Sequence, residues 1–594
     1  MTWIATAMIL AAVASPGLAQ GLASLKTVRL PEPSGLDKYV RDRSALIVLG
    51  KALFWDMAVG SDGRTACASC HFHAGADHRA QNQIANPNGP SRVNHTLTPD
   101  DFPFRAFADA TDNRSRVLRD SGQRVGSAGV FRRIFGGLAG DSEDAVDSAD
   151  APDFRIGDLN ARQVTPRNTP SVIDAVFNVR NLWDGRASDA FTGATPFGDS
   201  DQRENAMVVS GDRLAPEKVR ISNSSLASQA VGPPMNLVEM SAEGRTWPKL
   251  GRKMLALRPL ARQRVAVDDS VLGIYSNPEG TGLVGTYMDL VRTTFQTQYW
   301  DSDQLVGDSD ITLAEHNFPL FFGLAVQAYE ATLISGDSPF DRFLEGSTAA
   351  LTRREQAGMR VFQTRGECTD CHLGPELTNA GFTSLARQGP VLRLRTGLFT
   401  DTGFLNTGVR PSAEDSGLQG IDDFGFPFSL AARQASATPL GIAGAFKTPG
   451  LRNIDLTGPY FHNGGQASLE QVVDFYNRGG DHPNTPNLSP DVQRQNMSAD
   501  ERATLVEFLR SLTDDRVRFE QAPFDHPELC VPTGYDGAVP DPKFPLSAVD
   551  RWASIPAVGA KGSTVPLQTF MELLRGIGSD GTRAHSLSEA CAIP

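Results

Sequence analysis

Two stretches in the C-terminal half carry the clearest helical periodicity. From Ser498 to Thr513, the residues Leu505, Phe508, Leu509 and Leu512 recur three and four apart and share one face. Ser498 followed by Glu501 is a capping-box pattern at its start. Ser468 to Arg478 has the same design, with Ser468 and Gln471 as the box. Its Leu469, Val473 and Tyr476 recur at i, i+4 and i+7, which puts the tyrosine on the buried face. Most other recognisable segments also read as helices. Asp141 to Asp153 is acidic and alanine-rich, and predicts a mobile surface loop. At the N-terminus, Ile4 to Ala14 is apolar, no charged side chain precedes Lys26, and Gly17 and Ala19 are small. This pattern predicts a secretory signal, 1–19, cleaved after Ala19. No later run approaches the ~20 apolar residues of a membrane span.

Composition narrows the class. The chain has 594 residues, 40% hydrophobic and 21% charged, which is ordinary for a globular protein with ample material for a core. Its 56 glycines and 38 prolines follow no period, so a loop-rich chain is expected and a collagen-like one is excluded. A formal net charge of −13 argues against nucleic-acid binding and suits a basic protein partner or a small neutral substrate.

Six cysteines decide the chemistry. Four lie in two identical patterns, Cys67-Ala68-Ser69-Cys70-His71 and Cys368-Thr369-Asp370-Cys371-His372. Each is C-x-x-C-H, the attachment signature of c-type haem. Two thiols at this spacing reach the two vinyl groups of one porphyrin, and the adjacent imidazole meets the iron. A redox C-x-x-C or half a zinc site is the competing reading, but neither segment has a βαβ context and the pattern occurs twice. Covalent haem is attached outside the cytoplasm, in agreement with a signal peptide and a periplasmic or secreted protein. The remaining pair, Cys530 and Cys591, suits a disulfide, with two buried thiols as the alternative.

Strings around these motifs resemble the bacterial di-haem cytochrome c peroxidase and MauG superfamily. They are LGKALFWDMAVGSDGRTACASCH (49–71), RNTPSVIDAVFNVRNLWDGRA (167–187), SQAVGPPMNLVEM (228–240), SPFDRFLEG (338–346) and FKTPGLRNIDLTGPYFHNGGQASLEQVVDFYNRGG (446–480). The resemblance implies a mainly α fold: two cytochrome c-like haem domains with long loops and insertions. A first, peroxidatic domain is expected over 26–340, a second, electron-transfer domain over 341–515, and an extension over 516–594. The two C-x-x-C-H motifs start 301 residues apart, beyond the family's usual separation. Extra chain falls at about 79–160, 188–227 and 241–310 and after about 515, in the style of larger relatives such as the rubber oxygenases.

The resemblance also implies roles. His71 and His372 would be proximal iron ligands of two covalently bound haem c groups. Glu239 would assist peroxide heterolysis as the acid–base group, with Gln229 beside it, and Trp183 would relay electrons between the haems. Asn168, through its side chain, and the carbonyls of Thr457 and Pro459 would hold a calcium ion. The first haem is expected to be open on its distal face; among His73, His78 and His95, only His95 is a conceivable blocking ligand. At the second haem, the place of the methionine of peroxidases falls on Tyr476, as in MauG-type members. A core tyrosine, with the iron bound by His482, His462 or nothing, is the alternative. The implied partners are hydrogen peroxide and a small electron-donor protein such as a cytochrome c or cupredoxin. MauG-like or rubber-oxygenase-like oxidation of a protein or organic substrate is the alternative activity, and a plain electron-transfer cytochrome is the alternative class.

Two haems per chain should therefore survive denaturation and acid–acetone extraction. Pyridine haemochrome and intact mass measure this; one haem per chain, or haem lost on extraction, would overturn the motif reading.

Overall fold

The computed structural model describes residues 21–576 except 82, 87–90, 92, 279 and 435, together with Cys591. The expected signal segment, 1–19, lies outside the described residues. Among those described, no helix is long and apolar enough to cross a membrane.

The largest apolar cluster is organised by two helices. The first, Arg43–Trp55, is capped by the Asp42 carboxylate, which accepts from the Ser44 and Ala45 amides at 2.9 and 3.0 Å. The second, Phe318–Glu330, is apolar nearly all round and is correspondingly buried on every side. They cross at Gly50, where an added Cβ would lie 1.8 Å from the Ala325 carbonyl oxygen. Glycine is what lets the two backbones touch. A second cluster gathers Phe340, Phe362, Leu469, Val473, Leu505 and Phe508. There the helices Arg353–Gln363 and Ala499–Arg510 approach through Gly358, whose added Cβ would meet the Thr504 carbonyl oxygen at 1.9 Å.

Both periodic segments are helical. In Ala499–Arg510 the box closes as expected, with the Ser498 amide on Glu501 at 2.7 Å and the Glu501 amide on Ser498 Oγ at 3.2 Å. In Leu469–Asn477 only half of it forms. The Gln471 amide reaches Ser468 Oγ at 3.3 Å, but Gln471 Oε1 accepts from Ala467 instead, at 2.7 Å.

The expectation of a mainly α fold is wrong. Among the described residues, 27% are helix and 18% strand. The strands form eight two-stranded antiparallel sheets among the described residues, many of them in the stretches expected to be extra chain. Ala206–Ser210 pairs with Arg213–Glu217, and Leu529–Pro540 pairs with Ala548–Ile555. The acidic stretch read as a mobile loop supplies Asp144–Ser148, paired with Arg133–Leu138. Its Asp144 carboxylate is fully buried, with Arg245 and Lys253 each at 2.9 Å. Local composition marked it as a solvated run, but distant cations take its charge and two-residue periodicity is too short here to read. The C-terminal hairpin is pinned by the Cys530–Cys591 disulfide, with Cα atoms 5.6 Å apart.

Gly50→Ala should destabilise the protein by about 3 kcal/mol, since the methyl must push backbone apart instead of a flexible side chain. The midpoint of urea unfolding of the haem-loaded protein measures this. An unchanged midpoint would show that the two helices do not meet through Gly50.

Candidate functional site

At the first motif, a single helical turn, Ala68–His71, follows Cys67. Ser69 Oγ accepts from the Ala66 amide at 3.0 Å and closes the turn. The His71 ring sets Nδ1 2.8 Å from the Gly75 carbonyl oxygen. That nitrogen must carry the proton, which leaves the lone pair on Nε2, as an iron ligand requires. Burial lowers the His71 pKa and so favours the neutral ring. Burial also pushes the Cys70 thiol up to about 12 and raises Cys67 as well. Burial thus favours the thiol form at both positions, the opposite of the lowered pKa of a redox C-x-x-C. All four motif cysteines are unpaired, whereas Cys530 and Cys591 are joined.

Cys70 and His71 open onto a cavity whose walls include Gln229, Glu239, Trp183, Arg186 and the Arg167–Ser171 stretch. Gln229 comes from the short helix Ser225–Ala230. Glu239 sits in a turn whose amides are capped by Asn236 Oδ1, at 2.9 Å from Val238 N and 3.3 Å from Glu239 N. Burial raises the Glu239 pKa, and the nearby Arg186 opposes the shift. The three candidate blocking histidines lie elsewhere. His73 faces the Gln568 carbonyl at 2.9 Å and stacks on His78 at 3.4 Å, while His95 pairs with Asp101 at 3.1 Å.

Sequence reasoning missed Glu330. It is 1% exposed and lines a smaller cavity with Cys67, Cys70, His71 and Glu239. Burial pushes its carboxyl up to about 8, and its Oε2 has no hydrogen-bond partner among the described residues. The available signal was a carboxylate ending an otherwise apolar helical run, FPLFFGLAVQAYE.

The second motif repeats the local chemistry. His372 Nδ1 lies 3.1 Å from the Leu377 carbonyl oxygen, and burial lowers the ring's pKa to about 4. Cys368, Cys371, His372, Tyr476, His462 and Lys447 line one cavity. Tyr476 projects from the helix Leu469–Asn477 and packs against Phe475 and Phe461 at ring separations of 5.1 and 6.1 Å. Burial raises its phenol pKa. His482 is absent from that lining and has Arg105 Nη1 3.3 Å from its Nε2. His462 lines the cavity but stacks on Phe446 at 3.7 Å.

One strip of chain separates the two cavities. Asn168, Thr169, Pro170, Ser171 and Trp183 line both. Trp183 Nε1 donates to the Asn168 carbonyl at 2.8 Å, and its ring stands 6.3 Å from His462. The three expected calcium donors, Asn168, Thr457 and Pro459, share the wall of the second cavity. As placed, Asn168 Nδ2 donates to the Pro459 carbonyl at 2.5 Å; reversing this amide would turn its oxygen to the same point.

Comparison with known proteins agrees with this chemistry. A family model described as di-haem cytochrome c peroxidase matches residues 44–120 and 142–264. Cytochrome-c peroxidase IdrP2 of Denitromonas iodatirespirans is 34% identical over 196 residues, covering 32% of this chain and 48% of that protein. Methylamine utilization protein MauG of Methylorubrum extorquens is 31% identical over 188 residues, covering 32% of this chain and 42% of MauG. Cytochrome c551 peroxidase of Nitrosomonas europaea is 25% identical over 359 residues, covering 60% of this chain and 69% of the relative. The match therefore spans about half the length of the first two relatives. Over these stretches the chain is similar to di-haem cytochrome c peroxidases and to MauG. The family carries two haem c groups, and the two sets of unpaired thiols with a carbonyl-tethered imidazole fit them.

Proposed function

We propose that this protein is a c-type oxidoreductase that reduces hydrogen peroxide at the first motif with electrons received through the second. The observation that carries the reading is Glu239, a carboxyl whose pKa is raised by burial, lining one cavity with His71 and Gln229. Reduction of peroxide to two waters consumes two electrons and two protons. When bound at His71, haem supplies the electron chemistry. The protein's part is the protons. As a carboxylate Glu239 can take a proton from the arriving peroxide and then return it to the departing oxygen, and a pKa raised by burial makes it the stronger base for the first transfer. Gln229 offers amide donors and an acceptor that orient the peroxide beside it. Arg186 tempers the carboxyl's shift and stabilises the anion left after transfer. Trp183, on the wall common to both cavities, is the aromatic group suited to carry electrons between them.

On this reading, 26–340 is the peroxidatic domain, 341–515 the electron-receiving domain and 516–594 an extension. The donor is a small redox protein such as a cytochrome c or cupredoxin, and the protein works in the periplasm. A calcium ion held by Asn168 Oδ1 and the carbonyls of Thr457 and Pro459 would stiffen the junction, with the amide reversed. Tyr476 favours a second reading, oxidation of a partner protein or organic substrate in the manner of MauG. It lines the second cavity with Cys368, Cys371 and His372. A phenolate is a hard donor that stabilises oxidised iron, whereas a thioether raises the potential.

Glu239→Gln keeps the shape and removes the base. The peroxide reaction should slow by roughly 10²–10⁴-fold while both haems stay bound, measured by stopped-flow absorption. An unchanged rate would exclude Glu239 as the proton-transfer group, and an absent reaction in the parent would leave a plain electron-transfer cytochrome. Tyr476→Met should raise the reduction potential of the second haem and produce a methionine–histidine spectrum. If Tyr476→Phe matches the parent in both potential and spectrum, the tyrosine is not a ligand and the MauG-like reading fails.

A further inference from the structure

Three arginines, Arg124, Arg167 and Arg186, line the first cavity alongside Cys70, His71 and Glu239. Two of them have carboxylate partners. Arg167 holds Asp184 at 2.5 Å and grips Asp415 through two donors, at 2.8 and 3.3 Å; Arg186 holds Asp184 at 3.0 Å. Arg124 is placed differently. It is 2% exposed, donates through Nη2 to the Glu414 carbonyl at 3.1 Å, and comes no nearer than 3.9 Å to Asp415. Its Nη1 has no hydrogen-bond partner among the described residues. Burial lowers its pKa, the direction expected of a cation short of compensation. A guanidinium carries five donors in a rigid fork, and a buried one with donors unused is held at a cost that a suitable anion would remove.

The fold shows deliberate placement. Arg124 and Val125 form a short strand paired antiparallel with Ile84–Ala85, and the Val125 amide donates to the Asn463 carbonyl at 2.9 Å. The residue thus enters the cavity from added chain that is braced against the turn after His462. It falls in 121–141, between the two stretches that the family model matches.

We propose that Arg124 anchors a carboxylate-binding site on the wall of the first cavity. A carboxylate is the planar anion that accepts two parallel donors from one guanidinium. Two sources present this chemistry: a carboxylate side chain of the haem attached at Cys67 and Cys70, and the carboxylate of a small organic substrate. The inference rests on haem attachment at the first motif and not on peroxide turnover.

The test uses the haem-loaded protein without peroxide, as parent, Arg124→Gln and Arg124→Lys. One readout is the haem propionate band in the resonance Raman spectrum; the other is acetate affinity from optical titration. If the haem carboxylate is the ligand, the propionate band shifts in Arg124→Gln and moves back toward the parent position in Arg124→Lys. If a free carboxylate is the ligand, the parent binds acetate, Arg124→Gln weakens it by roughly 10–100-fold, and the band stays in place. Should Arg124→Gln fail to fold, Arg124→Lys decides, because it keeps the charge and loses the two-donor fork. A propionate band and an acetate affinity both unchanged in the substituted protein would overturn the proposal. Failure of the peroxidase reading alone would leave both readouts as expected.

Discussion

The wall between the two cavities is a single layer of chain, and its position is set by hydrogen bonds running to both sides. The Asn168 amide donates to the His462 carbonyl at 2.8 Å, and Trp183 Nε1 donates to the Asn168 carbonyl at the same distance. The Lys447 amide in turn donates to the Trp183 carbonyl at 2.8 Å. Residues far apart in sequence, 168, 183, 447 and 462, are thereby locked into one register. Beneath them Arg167 ties Asp184 to Asp415; against the opposing effect of burial, Arg186 and then Arg167 hold Asp184 below its ordinary pKa, and Arg167 does the same for Asp415. Removing one member of such a buried group strands the others and typically costs about 3–5 kcal/mol. Spacing between the two attachment motifs is therefore a property of this wall, and any electron transfer between the cavities inherits it.

The added chain is fastened by buried ion pairs as well as by apolar packing. Lys51, within an otherwise apolar helix, pairs with Asp269 at 2.8 Å and Asp525 at 3.3 Å, and all three side chains are fully buried. Arg162 joins Asp62 to Asp550 at 2.9 and 3.0 Å. Asp144 joins Arg245 to Lys253. Each group brings together segments from separate parts of the chain, and each is directional. Charges removed from water tolerate one geometry only, so a hairpin anchored this way has one docking position where an apolar face would allow sliding. The short two-stranded sheets fit that design, since a lone hairpin is marginal without such anchoring.

What could be read from the sequence was whatever depends on neighbours a few residues apart. The C-x-x-C-H spacing, the Ser498–Glu501 box and the Leu505–Leu512 face are all local, and the structure repeats them. Ser468–Gln471 shows the margin: the same pattern yields half a box because Ala467 competes for the glutamine oxygen. The helical share was overestimated because most of the paired strands are only two to six residues long and leave no usable two-residue period. Asp144 looked like surface for the same reason, its cations lying about 100 residues away in sequence. Arg124 at the first cavity and Glu330 at the smaller one beside it were invisible too, because a buried charge is recognised only when its surroundings are known.

Glu239 and Glu330 are where stability and chemistry diverge. Both line the small cavity at the first motif, and burial raises both carboxyls. A carboxyl with a raised pKa binds its proton more tightly in the folded chain than in the unfolded one. Its effect on stability is neutral below the ordinary carboxyl pKa and becomes increasingly unfavourable as pH climbs toward the folded value, which for Glu330 is about 8. Neither residue is therefore there to hold the fold together at neutral pH. Glutamine of the same shape would avoid the cost, since its amide has no charge to desolvate. What glutamate adds is a proton that can leave, and it adds it beside the first imidazole, where the proposed reaction consumes two.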